Sequence, residues 1–161
     1  MPTPYTFRYD VTPADLPRIR ELVQSTNVFS PVEVATAVEL AEERLAKGPA
    51  SGYHFIFAQR DGRVLGYSCY GPIALTVGSY DLYWIAVDKS TQGQGLGRLL
   101  MEKTEEVIRA EGGRRIYIET STRPAYAPTR GFYERCNCPL EVILEDFYAP
   151  GDGKAIYVKV L

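Results

Sequence analysis

A run of seven residues near the middle of the chain has the composition and spacing of an anion-binding turn. It reads Gln92-Gly93-Gln94-Gly95-Leu96-Gly97-Arg98, follows an apolar segment that ends at Val87, and precedes a helical pattern of leucines. A glycine-rich turn at a helix N-terminus exposes backbone N–H groups, and the helix dipole favours negative charge there. The chemistry that this pattern predicts is the binding of a phosphate group.

Three kinds of glycine-rich phosphate loop differ in their spacing. A P-loop requires GxxxxGK[ST], a string that is absent from this sequence. A dinucleotide-binding turn requires GxGxxG, and counting from Gly93 puts Arg98 where the third glycine should stand. The spacing that remains is Gln92-x-x-Gly95-x-Gly97, and both nucleotide-binding alternatives are disfavoured.

The elements that position this loop follow from apolar periodicity and turn residues. Strands are predicted at Tyr5–Val11, Tyr53–Gln59, Arg63–Tyr70, Tyr80–Val87, Arg115–Ser121, Leu140–Phe147 and Ala155–Val160. Helices are predicted after Thr12 and after Ser30, from about Leu96 to Gly112, and at roughly Pro128–Cys136. Residues 73–79 are either a loop or a strand extension. The order is βααβββαβαββ, and the apolar end of Tyr80–Val87 predicts a strand buried on both faces.

The Gln92-x-x-Gly95-x-Gly97 loop, lying between a strand and a helix, resembles the [RQ]xxGx[GA] signature of the GNAT superfamily of acetyl-CoA-dependent N-acetyltransferases. The element order is similar to that superfamily from end to end. The resemblance implies a single α/β domain over residues 1–161, with a mixed, mostly antiparallel sheet of six or seven strands, about four helices and a splayed central parallel pair.

The same resemblance implies that acetyl-CoA is the co-substrate. Its pyrophosphate would bind the loop Gln92, Gly93, Gln94, Gly95, Leu96, Gly97 and Arg98, and its pantetheine arm the main chain of Ile85, Ala86 and Val87. Tyr126 and Thr129 stand where the family helix, written NxxAxxxY, has its Asn and Ala, and they are further predicted cofactor contacts. For Tyr126, a contact with the acceptor or packing in the core are the alternatives. The donor could also be a longer acyl-CoA.

Acetyl transfer from a thioester to an amine needs a neutral amine and a proton for the departing thiolate. The segment Gly131–Asn137 resembles the family helix xLYExxGF, which implies that Tyr133 is the general acid. Glu119, on the strand RIYIETS, is the leading candidate for the general base, acting directly or through an ordered water. Asp81, near the start of the preceding strand, is the alternative base.

The sequence identifies the acceptor less specifically than the cofactor. The hairpin from Asp146 to Tyr157 resembles that of the branch that acetylates protein N-termini, which includes the ribosomal-protein alanine acetyltransferases. Predicted acceptor-binding residues are Asp81, Tyr83, Phe147 and Tyr148. The acceptor could be a small-molecule amine or an amine of a peptide or protein. The alternative function is a non-catalytic acyl-CoA-binding sensor or interaction module.

The composition of the chain argues against several classes of binding partner. A net charge of −2 argues against nucleic acid, and no apolar run reaches the roughly 20 residues of a membrane span. Three cysteines without an export signal predict reduced thiols in the cytoplasm. Cys136-x-Cys138 and a distant His54 are too few ligands for a metal site. A homodimer that pairs through the last strands is implied by the resemblance alone.

Overall fold

The computed structural model describes residues 3–161. The strands are β1 (Thr6–Arg8), β2 (His54–Arg60), β3 (Arg63–Pro72), β4 (Ser79–Val87), β5 (Arg115–Ser121), β6 (Leu140–Ala149) and β7 (Asp152–Val160). The helices are α1 (Asp15–Ser25), α2 (Pro31–Lys47), α3 (Leu96–Ala110) and α4 (Ala127–Arg135), with short 3₁₀ turns beside them. The predicted order βααβββαβαββ is confirmed. The ambiguous segment before β4 is a loop up to residue 78.

The seven strands form one sheet in the order β1-β2-β3-β4-β5-β7-β6. The pairs β1–β2, β2–β3, β5–β7 and β6–β7 are antiparallel, whereas β4 and β5 are parallel. The parallel register runs from Ser79 opposite Arg115 to Leu82 opposite Ile118. Pairing therefore uses only the first part of β4, as a splayed pair requires.

The chain divides into two compact units, and β4 and α3 contribute to both. The first unit contains the residues up to Gly71 together with Trp84–Thr104. Its core is formed by apolar residues of α1 and α2 against Phe55, Phe57 and Tyr67, whose rings stack at 5.8 to 6.1 Å. A capping box between Ser30 and Glu33 fixes the start of α2, so its apolar face meets this cluster.

The strand that is buried on both faces is β3, and the prediction that β4 has this property is wrong. Every residue from Val64 to Gly71 is buried, whereas Tyr83 on β4 is 38% exposed. On one face of β3, Tyr67 and its neighbours pack on the α1–α2 cluster. On the other, a Cβ at Gly66 would lie 2.9 Å from the Leu100 side chain, so α3 packs directly on the strand. Helices thus cover both faces of β3.

The second unit contains Pro72–Tyr83 and Glu105–Leu161. Its core joins β5 and β7 to α4 through buried side chains that include Ile116, Ile118, Tyr133, Cys138 and Tyr157. Asn137 follows α4 in the left-handed conformation, with φ of 60°. The last two strands extend beyond their predicted limits, to Ala149 in β6 and from Asp152 in β7. All residues of β6, the last strand of the sheet, are exposed.

Candidate active site

The strand that leads to the glycine loop ends in a fixed turn. After β4, Asp88 begins a 3₁₀ turn at Lys89–Thr91, and its Oδ1 accepts hydrogen bonds from the N–H of Ser90 (2.9 Å) and from its hydroxyl (2.6 Å). The guanidinium of Arg18 binds the other carboxylate oxygen. The hydrogen bonds from Ser90, with the ion pair to Arg18, hold the pKa of Asp88 well below its usual range. Because the carboxylate of Asp88 stays charged, these interactions fix the backbone where β4 leads into the turn.

Two glycines give the loop its backbone path. Gly93 has φ of 77° and Gly95 φ of 84°, the left-handed region that costs other L-residues roughly 1–2 kcal/mol. A Cβ at either position would meet nothing within 4 Å. Glycine is therefore required here by the torsion angle and not by crowding within the protein. The outer side of the loop is open, with room for a ligand.

The start of α3 presents backbone donors at this loop. Leu99 N–H donates to the carbonyl of Gly95 at 3.0 Å, so the amides of Leu96, Gly97 and Arg98 precede the first hydrogen bond of the helix. Such amides have no partner within the helix. The amides of Gln92 and Gln94 are used inside the turn, at 3.4 Å to Lys89 and 3.2 Å to Thr91. The donors that can meet an anion are therefore fewer than the whole predicted run.

The side chains of the loop have separate surroundings. Leu96 is 1% exposed and anchors α3 in the core, so it can meet a ligand only through its backbone. Arg98 is exposed, with its Nε 3.5 Å from a carboxylate oxygen of Glu102. On the preceding strand, Ala86 belongs to the core cluster, and Ile85 and Val87 are half-buried.

In the second unit, Tyr133 lies in α4 with its ring 5.3 Å from Phe132 and 6.0 Å from Tyr157. It is 6% exposed. Burial, with a smaller contribution from Cys138, raises the pKa of Tyr133 well above its usual range. The phenol is consequently protonated at neutral pH and is an O–H donor.

Of the other predicted cofactor contacts in this unit, Tyr126 is largely buried and Thr129 half-buried. Tyr126 ends the 3₁₀ turn Pro124–Tyr126 and is 4% exposed, with the Arg123 guanidinium 5.2 Å from its ring centre. Arg123 also pairs with Asp152 at 3.2 Å, which ties this turn to the start of β7. Tyr126 therefore packs within the unit.

The two candidate bases are neighbours on adjacent strands. Asp81 lies opposite Tyr117 in the β4–β5 pair, and Glu119 is two residues further along β5, on the same face. Burial, together with the charge of Glu119, raises the pKa of Asp81 above its usual value, although a hydrogen bond from Tyr83 opposes the shift. Glu119 is the more accessible carboxylate, with its side chain 47% exposed.

Lys154 contacts predicted base and acceptor residues, and no local sequence pattern predicts these contacts. Its Nζ lies 3.0 Å from Glu119 Oε2, 3.8 Å from the ring centre of Phe147 and 6.0 Å from that of Tyr148. Phe147 and Tyr148 are about half exposed and meet edge to face at 5.1 Å. Lys154 reaches Glu119 because β7 places it opposite Ser121, diagonal to Glu119 on the same face.

Two negative findings concern the part of the chain that the structure describes. Among residues 3–161, no three His, Cys, Asp or Glu side chains are grouped as they would be around a metal ion. Within the same range, no helix has the length and apolar character needed to cross a membrane.

Comparisons with known proteins identify the class. The acetyltransferase (GNAT) family model matches residues 16–137. A Desulfovibrio desulfuricans protein provisionally assigned as a GNAT-family acetyltransferase is 46% identical, with a TM-score of 0.94 over 98% of this chain and 99% of that one. The chain belongs to the GNAT acetyltransferase family and is an acyltransferase. A search of curated proteins finds no match.

More distant structures share the fold alone. The ribosomal-protein-S18-alanine N-acetyltransferase from Escherichia coli is 19% identical, with a TM-score of 0.75 over 98% of this chain and 94% of that one. YncA from Salmonella typhimurium, provisionally assigned as an acetyltransferase and solved with acetyl-CoA, is 16% identical, with a TM-score of 0.72 over 99% of this chain and 95% of that one.

Proposed function

We propose that this acyltransferase is an N-acetyltransferase that moves the acetyl group of acetyl-CoA to a primary amine, by direct attack of the amine in a ternary complex. The observation that carries the proposal is the loop of the first unit. There, left-handed Gly93 and Gly95 lead into a helix whose first amides have no intrahelical partner. The acetyl-CoA bound to the Salmonella relative supports the same cofactor.

The loop has the features that a pyrophosphate requires. The N–H groups of Leu96, Gly97 and Arg98 point toward the N-terminal end of α3, where the helix dipole adds to their attraction for an anion. The open space above Gly93 and Gly95 admits the phosphates. The main chain of Ile85, Ala86 and Val87 binds the pantetheine arm, and one N–H of this strand polarises the carbonyl of the thioester.

Glu119 serves as the general base in this proposal. At pH 7 an amine of pKa about 10.4 costs roughly 4–5 kcal/mol to neutralise, and an α-amine near pKa 8 only about 1 kcal/mol. A carboxylate that accepts the proton, directly or through one water, is therefore more important for an alkylamine. Glu119 is preferred to Asp81 because its side chain is the more accessible of the two, at 47% exposed, whereas Asp81 is partly buried.

Tyr133 serves as the general acid that protonates the thiolate of CoA. Burial keeps the phenol protonated, so the proton is available when the thioester bond breaks. The same burial makes Tyr133 a weak acid. A CoA thiolate released beside this buried ring is also poorly solvated, and this raises its pKa as well. Proton transfer from the Tyr133 phenol to the thiolate therefore stays feasible.

One experiment tests the proposal directly. Release of the CoA thiol from acetyl-CoA should be followed against a panel of amines and peptides, between about pH 6 and 10, where an amine of ordinary pKa changes from ammonium to free base. At least one primary amine should give turnover that rises with pH. Calorimetry that shows no binding of CoA or acetyl-CoA at millimolar ligand would contradict the proposal.

A further inference from the structure

The ammonium group of Lys154 is held by groups of the kind that bind a free ammonium ion. A carboxylate oxygen of Glu119 lies 3.0 Å away, the ring of Phe147 3.8 Å away and the ring of Tyr148 6.0 Å away. Asp81 also interacts with the charge of Lys154. We call Asp81, Glu119, Phe147 and Tyr148 the ammonium cage. A carboxylate combined with aromatic faces is a typical binding site for an alkylammonium group.

The backbone at the end of β6 is shaped to present the two rings of the cage. The β6–β7 register shifts between Leu144 and Ala149. Within that stretch Asp146 is left-handed, with φ of 54°, and its Oδ1 accepts a hydrogen bond from Gly151 N–H at 2.8 Å. This irregular turn brings Phe147 and Tyr148 into contact with Lys154. A regular strand would put adjacent side chains on opposite faces.

The burial of Lys154 distinguishes it from an ordinary surface ion pair. Its side chain is 13% exposed, although its partner Glu119 is 47% exposed. By contrast, Lys47 and Glu43 on α2 form an ion pair at 2.8 Å in which the side chains are 61% and 46% exposed. The carboxylate of Glu119 is thus open to solvent on one side and occupied by an internal cation on the other.

We propose that Lys154 occupies, in the free enzyme, the place where the ammonium group of the acceptor binds, and that the acceptor displaces it. This inference rests on the proposed function. It also narrows the substrate class, because the present occupant is an unbranched primary alkylammonium. The acceptor is accordingly a cationic aliphatic amine with no carboxylate next to the nitrogen, since Asp81 and Glu119 would repel one. In the reaction, the bound ammonium then loses its proton to Glu119.

Removing the charge of Lys154 tests whether it occupies the binding site of the acceptor ammonium. Binding of n-butylamine, without acetyl-CoA, should be measured by calorimetry or NMR at pH 7 for the wild type and for Lys154→Met. We expect the Kd of the variant to be at least about tenfold lower, because the cage would be vacant and would lack an opposing charge. Lys154→Arg should bind no tighter than the wild type, because it keeps the cation. Adding Phe147→Ala to Lys154→Met should reverse the gain.

Two controls separate the cage from simple changes in packing. Lys159→Met removes a lysine of the same strand that is 18% exposed and pairs with Glu105 at 3.3 Å, away from the cage. It should leave n-butylamine binding unchanged. The uncharged analogue n-butanol should gain nothing from Lys154→Met. An equal gain for n-butanol, or no gain for n-butylamine over the Lys159→Met control, would overturn the proposal.

Two further measurements keep the test decisive. If Lys154→Met does not fold, Lys154→Gln removes the same charge with a different side chain. In the unmodified protein with labelled lysine, n-butylamine should move the Lys154 side-chain resonances, and unmoved resonances at saturation would also overturn the proposal. Because these readouts need no turnover, they are independent of whether CoA is released. Failure of the proposed function would instead appear as absent CoA release with every amine.

Discussion

Tyr133→Phe is the substitution that tests the catalytic proposal most sharply. It removes one hydroxyl from a ring that stays packed between Phe132 at 5.3 Å and Tyr157 at 6.0 Å. The variant should therefore fold, with a change in the free energy of unfolding of about 1 kcal/mol or less. Binding of acetyl-CoA, measured by calorimetry, should not change.

The kinetic effect should be much larger than the effect on stability. General acid catalysis contributes typically about 10²–10⁴ in rate. With each factor of ten worth about 1.36 kcal/mol, the loss of the hydroxyl should raise the barrier by roughly 3–5 kcal/mol. The assay is CoA thiol release at saturating acetyl-CoA and amine, so that kcat is measured.

Tyr157→Phe is the matched control. Its hydroxyl donates to Glu134 at 3.2 Å, and its ring belongs to the same buried cluster as Tyr133. It should keep kcat within a few-fold of the wild type. A fall in kcat of less than about tenfold for Tyr133→Phe would refute the role of general acid. A wild type that binds acetyl-CoA but gives no turnover with any amine of the panel would contradict the proposed transfer to a primary amine and favour the sensor alternative.

Three other substitutions make separate predictions. Glu119→Gln should lower kcat/KM for an alkylamine by about 10²–10⁴, with partial recovery at high pH where the amine is already neutral; an unchanged pH profile would favour Asp81 or water as the base. Asp81→Asn should raise Tm at pH 7 and not in acid. The folded-state pKa of Asp81 is raised above 3.8, so its charged form weakens the fold only as pH rises through that value; an equal gain below about pH 4 would show a cause other than charge. Gly95→Ala should cost about 1–2 kcal/mol, seen in denaturant unfolding, and should weaken acetyl-CoA binding, because φ is 84° there although a Cβ has space. Unaltered stability would mean that the loop adopts another path.

The parts of the fold that sequence predicts well depend on local patterns. The element order followed from turn residues and apolar periodicity, and the loop at Gln92–Gly97 followed from its spacing. Local patterns did not predict that β3, and not β4, is the strand buried on both faces. This burial depends on the contact of Leu100 in α3 with Gly66, two residues that are far apart in the chain.

The candidate site shows the same division. Tyr133 and Glu119 could be selected from motifs and strand position, because each lies in a short recognisable segment. The contact of Lys154 with Glu119 depends on the β5–β7 register, which pairs Ser121 with Lys154 across many intervening residues. Its contact with Phe147 depends on a register shift in β6 that no local pattern marks.

The three cysteines determine how cleanly catalysis can be measured. Cys69, Cys136 and Cys138 form no disulfide among the described residues, and their exposures are 1%, 6% and 0%. Burial raises the pKa of Cys138 to about 12 and that of Cys69 well above its usual value. Thiol reagents attack the thiolate form, so the folded protein should give almost no background colour. Released CoA can then be quantified at high enzyme concentration, where even a single slow turnover with a poor acceptor can be detected.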